Sequence, residues 1–396
     1  MDINVCLLND SFPPVIDGVS NTVFNYASVI DKKFGKCAVA TPAYPGVRDD
    51  YSFPVIRYPS IKTDKFEGYR TGLPIAPASI RELKKRGVNV IHSHCPFAST
   101  VLARSMRIPL KAPIIFTYHT KFDVDIAKSI KTGVAQSVVK KLVLTNIGTC
   151  DEVWVVSPGA AENLRELGYT GQTRLMENGV DFDKGRADGA DMAMLAARHG
   201  IKEHMPVFLF VGRIMWYKGI RTILDGLCMA KARGVKFKMI FVGGGLDYDA
   251  IVHSAEILGL KDDCVFTGPV SDRRELRAYY SLADMFLFPS DYDTSGIVVR
   301  EAAACGLASV LLRGSSAAHG VTDGRSGILI DDNPSEMMDA VIRTISDREW
   351  ARALGMRAMD ELYLSWEDAV SRAWSRYGEV LENYRAAKGR NKPDLS

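Results

Sequence analysis

Arg213 and Lys218 stand five residues apart in Gly212-Arg213-Ile214-Met215-Trp216-Tyr217-Lys218-Gly219, directly after an apolar run and before a helical segment. At the mouth of a strand, a guanidinium can grip a diphosphate bidentately while an ammonium acts as a point charge; a solvated basic loop has the same spacing. A second cluster reads Asp291-Tyr292-Asp293-Thr294-Ser295-Gly296-Ile297 and runs into a helix carrying Glu301, followed by Ala302, Ala303, Ala304 and Cys305. The amides of such a helix start favour phosphate. The small residues around Glu301 predict a buried carboxylate that needs a polar partner, a ribose diol being one.

Three further loops hold candidates. His119 ends a strand-like run and suits donation to a sugar hydroxyl, although strand-end histidines also serve as structural hydrogen bonders. His92 and His94 lie close by in the fold order, and without a third nearby ligand a zinc site is not expected. In Asn9-Asp10-Ser11-Phe12-Pro13-Pro14-Val15-Ile16-Asp17-Gly18, a helix start near Gly18 could receive an anion or be a simple turn. Gly244 within Gly243-Gly244-Gly245, and Thr267 before Gly268-Pro269, read either as close-approach loops for a nucleotide base or as tight turns.

These loops need strands to hold them. Short β-rich runs at 3–8, 37–41, 88–92, 113–118 and 153–157, then at 207–212, 238–242, 264–267, 285–289, 309–312 and 327–330, alternate with helical segments. Their apolarity is continuous rather than alternating, which indicates parallel strands covered on both faces. Two doubly wound α/β domains follow, with ligands expected beyond the carboxyl ends of the strands. The expected domains are residues 1–180 and 186–364, joined by a polar linker within 178–200. Residues 365–387 form one amphipathic helix by the spacing of Trp366, Ala369, Val370, Ala373, Trp374, Tyr377, Val380, Leu381 and Tyr384.

The length of 396 residues, 47% hydrophobic and 24% charged, suits two globular domains and excludes a disordered or fibrous chain. No apolar run approaches the ~18 residues of a spanning helix, and no export signal is visible, so a cytoplasmic protein is expected. Seven scattered cysteines without a C-x-x-C pair favour free thiols. The net charge of +3 is too small to suggest nucleic acid, but residues 1–180 hold 22 Lys and Arg against 16 Asp and Glu. Contact with anionic lipid, if made, is expected from that half; an ordinary solvated surface fits as well.

Taken in order, the Asp17-Gly18 loop, His119, Asn178-Gly179-Val180-Asp181, Gly212-Arg213 with Lys218-Gly219, Thr267-Gly268, and Asp293-x7-Glu301 with Ala304-Cys305-Gly306 resemble the retaining, nucleotide-sugar-dependent glycosyltransferases of family four. The resemblance spans almost the whole chain and implies the GT-B fold, two Rossmann-like domains facing across a cleft, with the C-terminal helix packed back on the first. It implies that Arg213 and Lys218 hold the donor diphosphate and that Glu301 binds the ribose. Ser295, Gly296 and Ile297 then supply amides for phosphate and sugar, Asp293 contacts the transferred hexose, and Gly18 and His119 lie beside the donor. Asp17 stands where the family has glycine, and Asp293 where it has glutamate.

The implied reaction moves a hexose from a nucleoside-diphosphate sugar, UDP favoured, to an acceptor hydroxyl. The nucleotide sugar is a co-substrate, and neither metal nor cofactor is implied. The stretch 118–123 and the Lys-bearing segment 128–142 are similar to the branch that glycosylates membrane lipids, placing a basic helix in the interface; a soluble acceptor has equal standing. A dehydrogenase is disfavoured because no strand is followed by G-x-G-x-x-G with a later acid. A sugar-nucleotide epimerase of the same fold, and a non-catalytic nucleotide-sugar-binding partner suggested by Asp17 and Asp293, remain alternatives.

Overall fold

The computed structural model describes residues 2–15, 17–63, 69–119, 132–294 and 296–390. Two compact units emerge, one made of residues 1–178 and 366–396, the other of 179–365.

The first unit is built on a seven-stranded parallel sheet. Its strands are β1 (Asn4–Leu8), β2 (Lys36–Pro42), β3 (Val55–Tyr58), β6 (Val90–Ser93), β7 (Ile114–Tyr118), β8 (Glu152–Val155) and β9 (Arg174–Leu175), in the order β3-β2-β1-β6-β7-β8-β9. A small antiparallel ribbon of β4 (Ser60–Lys62) and β5 (Arg70–Gly72) lies outside it. β1 and β7 are buried along their whole length, as strands covered on both faces must be.

The C-terminal helix Trp366–Arg390 belongs to this unit. Its stripe of Trp366, Ala369, Val370, Ala373, Tyr377, Val380 and Leu381 is buried. Trp374 stacks on Phe34 with ring centroids 5.4 Å apart. Tyr377 meets His92 Nδ1 at 2.7 Å, and Arg376 pairs with Glu152. The stripe is therefore packed and tied down inside the unit.

The second unit holds a six-stranded parallel sheet of β10 (Val207–Val211), β11 (Lys238–Val242), β12 (Cys264–Gly268), β13 (Met285–Phe288), β14 (Ser309–Leu312) and β15 (Ile328–Ile330), ordered β12-β11-β10-β13-β14-β15. Phe210 stacks on Phe288 at 5.6 Å, and Phe241 on Phe266 at 4.7 Å. Phe210, Phe241 and Phe288 are fully buried, and each such ring contributes about 1.5–3 kcal/mol relative to exposure.

In both large sheets the strand order reverses beside the unit's first strand, between β1 and β6 and between β10 and β13. Reversals of this kind open a crevice at the carboxyl ends of the two strands, where such folds bind ligands.

The fold class read from the sequence is the one observed. Four strands were not read. β3 is a half-buried run containing Arg57, β9 has only two exposed residues, and β4 and β5 have three residues each. The break between the units falls between 178 and 179, inside the stretch expected to hold the linker, but that stretch is not linker throughout. Val180 pairs with Ser365, and the helix Gly189–Arg198 inserts Leu195 into the second core, capped by Asp188. The helix is rich in alanine and methionine, yet Leu195 is its one residue buried in the core.

Candidate nucleotide-sugar site and its family

In the second unit the reversal between β10 and β13 gathers several candidates. The β10 loop ends in the single turn Trp216–Lys218, after which Gly219 takes φ +75. A Cβ at Gly219 would lie 1.9 Å from the Pro289 carbonyl oxygen, so glycine is what lets the two loops close. Lys218 is only 7% exposed; its Nζ donates to the Tyr292 carbonyl and to Asp293 Oδ2, each at 3.1 Å. An ammonium has three donors, so one remains. Arg213 on the same loop is exposed and makes no ion pair with a described residue.

Asp293 has a second bond. Its Oδ1 accepts from the Gly296 amide at 2.7 Å. Gly296 has φ +58, and a Cβ there would meet Ala317 at 3.0 Å. It caps the helix Ile297–Ala304, in which the first-turn amides of Ile297 and Val298 have no intrahelical acceptor. Ser295 lies outside the described residues.

Glu301 is 6% exposed, as its all-small neighbours led one to expect. Its partners are protein groups. Arg273 donates to Oε1 at 2.7 Å and the Tyr280 hydroxyl to Oε2 at 2.9 Å. Burial raises the Glu301 pKa and Arg273 pulls it back; burial likewise pushes Tyr280 well up. A ribose is therefore not needed to satisfy this carboxylate, although each oxygen keeps a second lone pair. Arg273, which also packs over Phe182 at 4.3 Å, was missed in the sequence. Its signal was there: a buried acid calls for a cation, and an Arg opens the helix that follows the β12 loop.

Gly244 and Thr267 bond locally. The Gly244 carbonyl accepts from the Ile214 amide at 2.9 Å, and a Cβ on Gly244 would press on Pro269 at 3.2 Å. The Thr267 hydroxyl donates to the Gly268 carbonyl at 2.8 Å. Neighbouring Gly243 and Gly245 let this turn lie against the Gly212–Ile214 backbone, where Cβ atoms would come within 1.9 and 2.2 Å of carbonyl oxygens. These are tight loop-to-loop turns.

In the first unit, Asp17 does not stand as a loose negative charge. It caps the helix Gly18–Lys33, taking the Val19 and Ser20 amides on Oδ1 at 2.9 and 2.7 Å. Ser11 and the Tyr69 hydroxyl donate to Oδ2 at 2.6 and 3.1 Å. The expected anion-receiving amides beside Gly18 are thus already engaged by a carboxylate of the chain itself. Gly18 is exposed, and space around its Cβ position is open.

His119 follows β7, and its Nε2 lies 2.9 Å from His94 Nδ1, the rings stacked at 5.2 Å. His92 is tied to Tyr377 and to Thr117, each at 2.7 Å. Burial lowers His92 and His94 well below the usual range and takes His119 down to about 3. All three imidazoles are neutral at physiological pH. Residues 120–123 and 128–131 of the proposed lipid-facing stretch lie outside the described residues. Among the described residues, no helix is long and apolar enough to cross a membrane.

Two Rossmann-like units with basic and amide groups at the reversal of the second sheet define the GT-B class. Residues 16–184 match glycosyltransferase family 4 and residues 192–360 match the glycosyl transferases group 1 family, so the chain belongs to these glycosyltransferases. It is 22% identical to an alpha-monoglucosyldiacylglycerol synthase of Acholeplasma laidlawii, over 92% of this chain and 98% of that one. It is 26% identical to the sulfoquinovosyl transferase SQD2 of Arabidopsis thaliana, over 87% and 67% of the two chains. Among solved structures, the Anabaena protein HepE in complex with UDP and glucose superposes with TM-score 0.71 at 16% identity, covering 95% of this chain and all of that one.

Proposed function

We propose that the protein is a retaining, metal-independent glycosyltransferase that moves a hexose from a nucleoside-diphosphate sugar, UDP favoured, to a hydroxyl of a membrane lipid or lipid-linked glycan. The observation that carries the reading is the composition of the reversal between β10 and β13. A buried Lys218 held by Tyr292 and Asp293 and two first-turn amides without an intrahelical acceptor lie at this reversal, and Arg213, exposed and without an ion pair among the described residues, is on the same loop as Lys218. Positive groups held in advance are what a departing diphosphate requires, and each typically contributes ~3–4 kcal/mol to such a transition state. They supply the charge that a divalent cation would otherwise bring.

In this reading Asp293 holds Lys218 extended before the donor arrives, and the Arg273–Glu301–Tyr280 cluster stiffens the helix whose amides meet the phosphate. In the first unit, we assign His119 to the transferred sugar. The neutral ring offers a hydrogen bond without adding charge.

The lipid acceptor is favoured by the helix Gly133–Gly148. Val134, Val138 and Leu142 are 80%, 63% and 46% exposed at four-residue spacing. Lys140 and Lys141 lie among them, and the helix has no acid. An apolar stripe with basic flanks fits the surface of an anionic bilayer. One of the relatives, the alpha-monoglucosyldiacylglycerol synthase, carries a glycosylated diacylglycerol in its name.

Calorimetry with UDP in the presence and absence of EDTA tests the donor site. Equal affinity is expected in both, with a loss of ~10- to 100-fold in Lys218→Met and Arg213→Met, the scale of a lost hydrogen bond to a charged group. Binding abolished by the chelator refutes the metal-free reading, and unchanged affinity in both variants moves the site elsewhere.

A further inference from the structure

His94 is 1% exposed, and its Nε2 has no hydrogen-bond partner among the described residues. Its other nitrogen, Nδ1, lies 2.9 Å from His119 Nε2. Between two neutral imidazoles one nitrogen of that contact carries the proton and the other a lone pair, which leaves two arrangements. If His119 donated through Nε2–H, the single proton of His94 would sit on its Nε2, making a buried N–H with no acceptor. If His94 donates through Nδ1–H, only a lone pair is left unpaired. Buried N–H groups without acceptors are the rarer and costlier orphan.

We propose that His94 is a positioning residue that donates Nδ1–H to Nε2 of His119, and thereby fixes His119 with its own proton on Nδ1. Free imidazole disfavours that tautomer. The fold imposes it through the packing of His94 against His92, whose ring centroid is 4.0 Å away, and against the edge of Tyr26 at 5.6 Å. The His94 backbone is fixed as well, its amide donating to the Leu8 carbonyl at 2.8 Å. The consequence is that His119 presents a donor rather than an acceptor at the nitrogen that His94 does not touch. That is the sense needed for a bond to a sugar oxygen, and this part of the inference rests on the assignment of His119 to the transferred sugar made above.

The test is long-range 15N–1H correlation NMR on the full chain with 15N-labelled histidine, the His119 signals being assigned by their loss in His119→Gln. The expected result is a pyrrole-type Nδ1 and a pyridine-type Nε2 in the unmodified protein, which requires no variant to fold. In His94→Phe, which keeps the ring and removes the donor, the His119 signals should shift toward the Nε2–H form. His94→Asn, which can place an amide N–H near the same point, should restore them. A pyrrole-type Nε2 on His119 in the unmodified protein overturns the proposal, as does an unchanged His119 tautomer in a folded His94→Phe.

Kinetics then separate the proposal from the reading it rests on. His94→Phe should lower kcat about tenfold, the scale of one hydrogen bond, with KM for the donor within a few-fold and His94→Asn recovering most of the loss. If the NMR result is as expected while kcat is unchanged, the tautomer assignment stands and the assignment of His119 to the sugar falls.

Discussion

Arg273→Leu isolates a buried carboxylate of the second unit, Glu301. The substitution leaves Glu301, 6% exposed, with Tyr280 as its remaining partner. Breaking one side of a buried pair typically costs ~3–5 kcal/mol. Here an upper bound follows from proton linkage. With burial no longer opposed by the guanidinium, Glu301 can escape by staying protonated. Holding a carboxyl neutral at pH 7, against an unfolded value of ~4.3, costs about 3.7 kcal/mol. The Arg273 side chain is 44% exposed, so solvent already screens part of the pair, and a loss of ~2–3.5 kcal/mol is the expected range.

The sign follows from the direction of the shift. In the native protein, burial already places Glu301 above its ordinary value. A folded carboxyl held above its unfolded value makes stability fall as pH rises from the unfolded value to the folded one. Removing Arg273 raises the folded value further and steepens that fall. The difference between variant and native protein should therefore be largest near pH 7 and shrink as pH falls toward the ordinary carboxylate range. For a unit of this size, 3 kcal/mol corresponds to a drop in Tm of roughly 6–12 °C. Calorimetric melting across that pH range, with Glu301→Gln in the Arg273→Leu background as the rescue, measures it. A pH-independent loss, or one below ~0.5 kcal/mol, would refute the claim that Glu301 is held by this pair.

Two further outcomes are expected. Asp17→Ala removes the cap of the helix Gly18–Lys33 and both side-chain donors' acceptor, so the first unit should lose ~1–2 kcal/mol in denaturant unfolding; no loss would show that the cap contributes nothing. His119→Ala should cut kcat/KM at least tenfold, about 1.4 kcal/mol, with UDP affinity within a few-fold; normal turnover in a folded variant removes His119 from the site.

Much of the fold could be read because burial on both faces leaves an uninterrupted apolar signature. β10, with Val207, Phe208, Leu209, Phe210 and Val211 all buried, is of this kind. β3 carries Arg57, which reaches back to Asp49 and the Pro13 carbonyl, so its pattern resembles a loop. The same contrast divides the site. Lys218 and Gly219 could be found from type and spacing, since a helix start after a strand fixes where they point. Partners that arrive from other elements leave a fainter signal, and Arg273 and Tyr280, which meet Glu301 from a neighbouring helix, are of that kind. The capping role of Asp17 was not read, although a carboxylate and a helix start one residue apart satisfy each other locally.

The central claim is tested most directly by one transfer reaction: the full chain, UDP-glucose and vesicles containing diacylglycerol and anionic phospholipid, with EDTA present, followed by mass spectrometry and by NMR of the anomeric proton of the product. The account expects a glycosylated lipid with the anomeric configuration of the donor retained. Donor epimerised without transfer, an inverted product, or no lipid product across UDP-, GDP- and ADP-sugars despite nucleotide binding would contradict it.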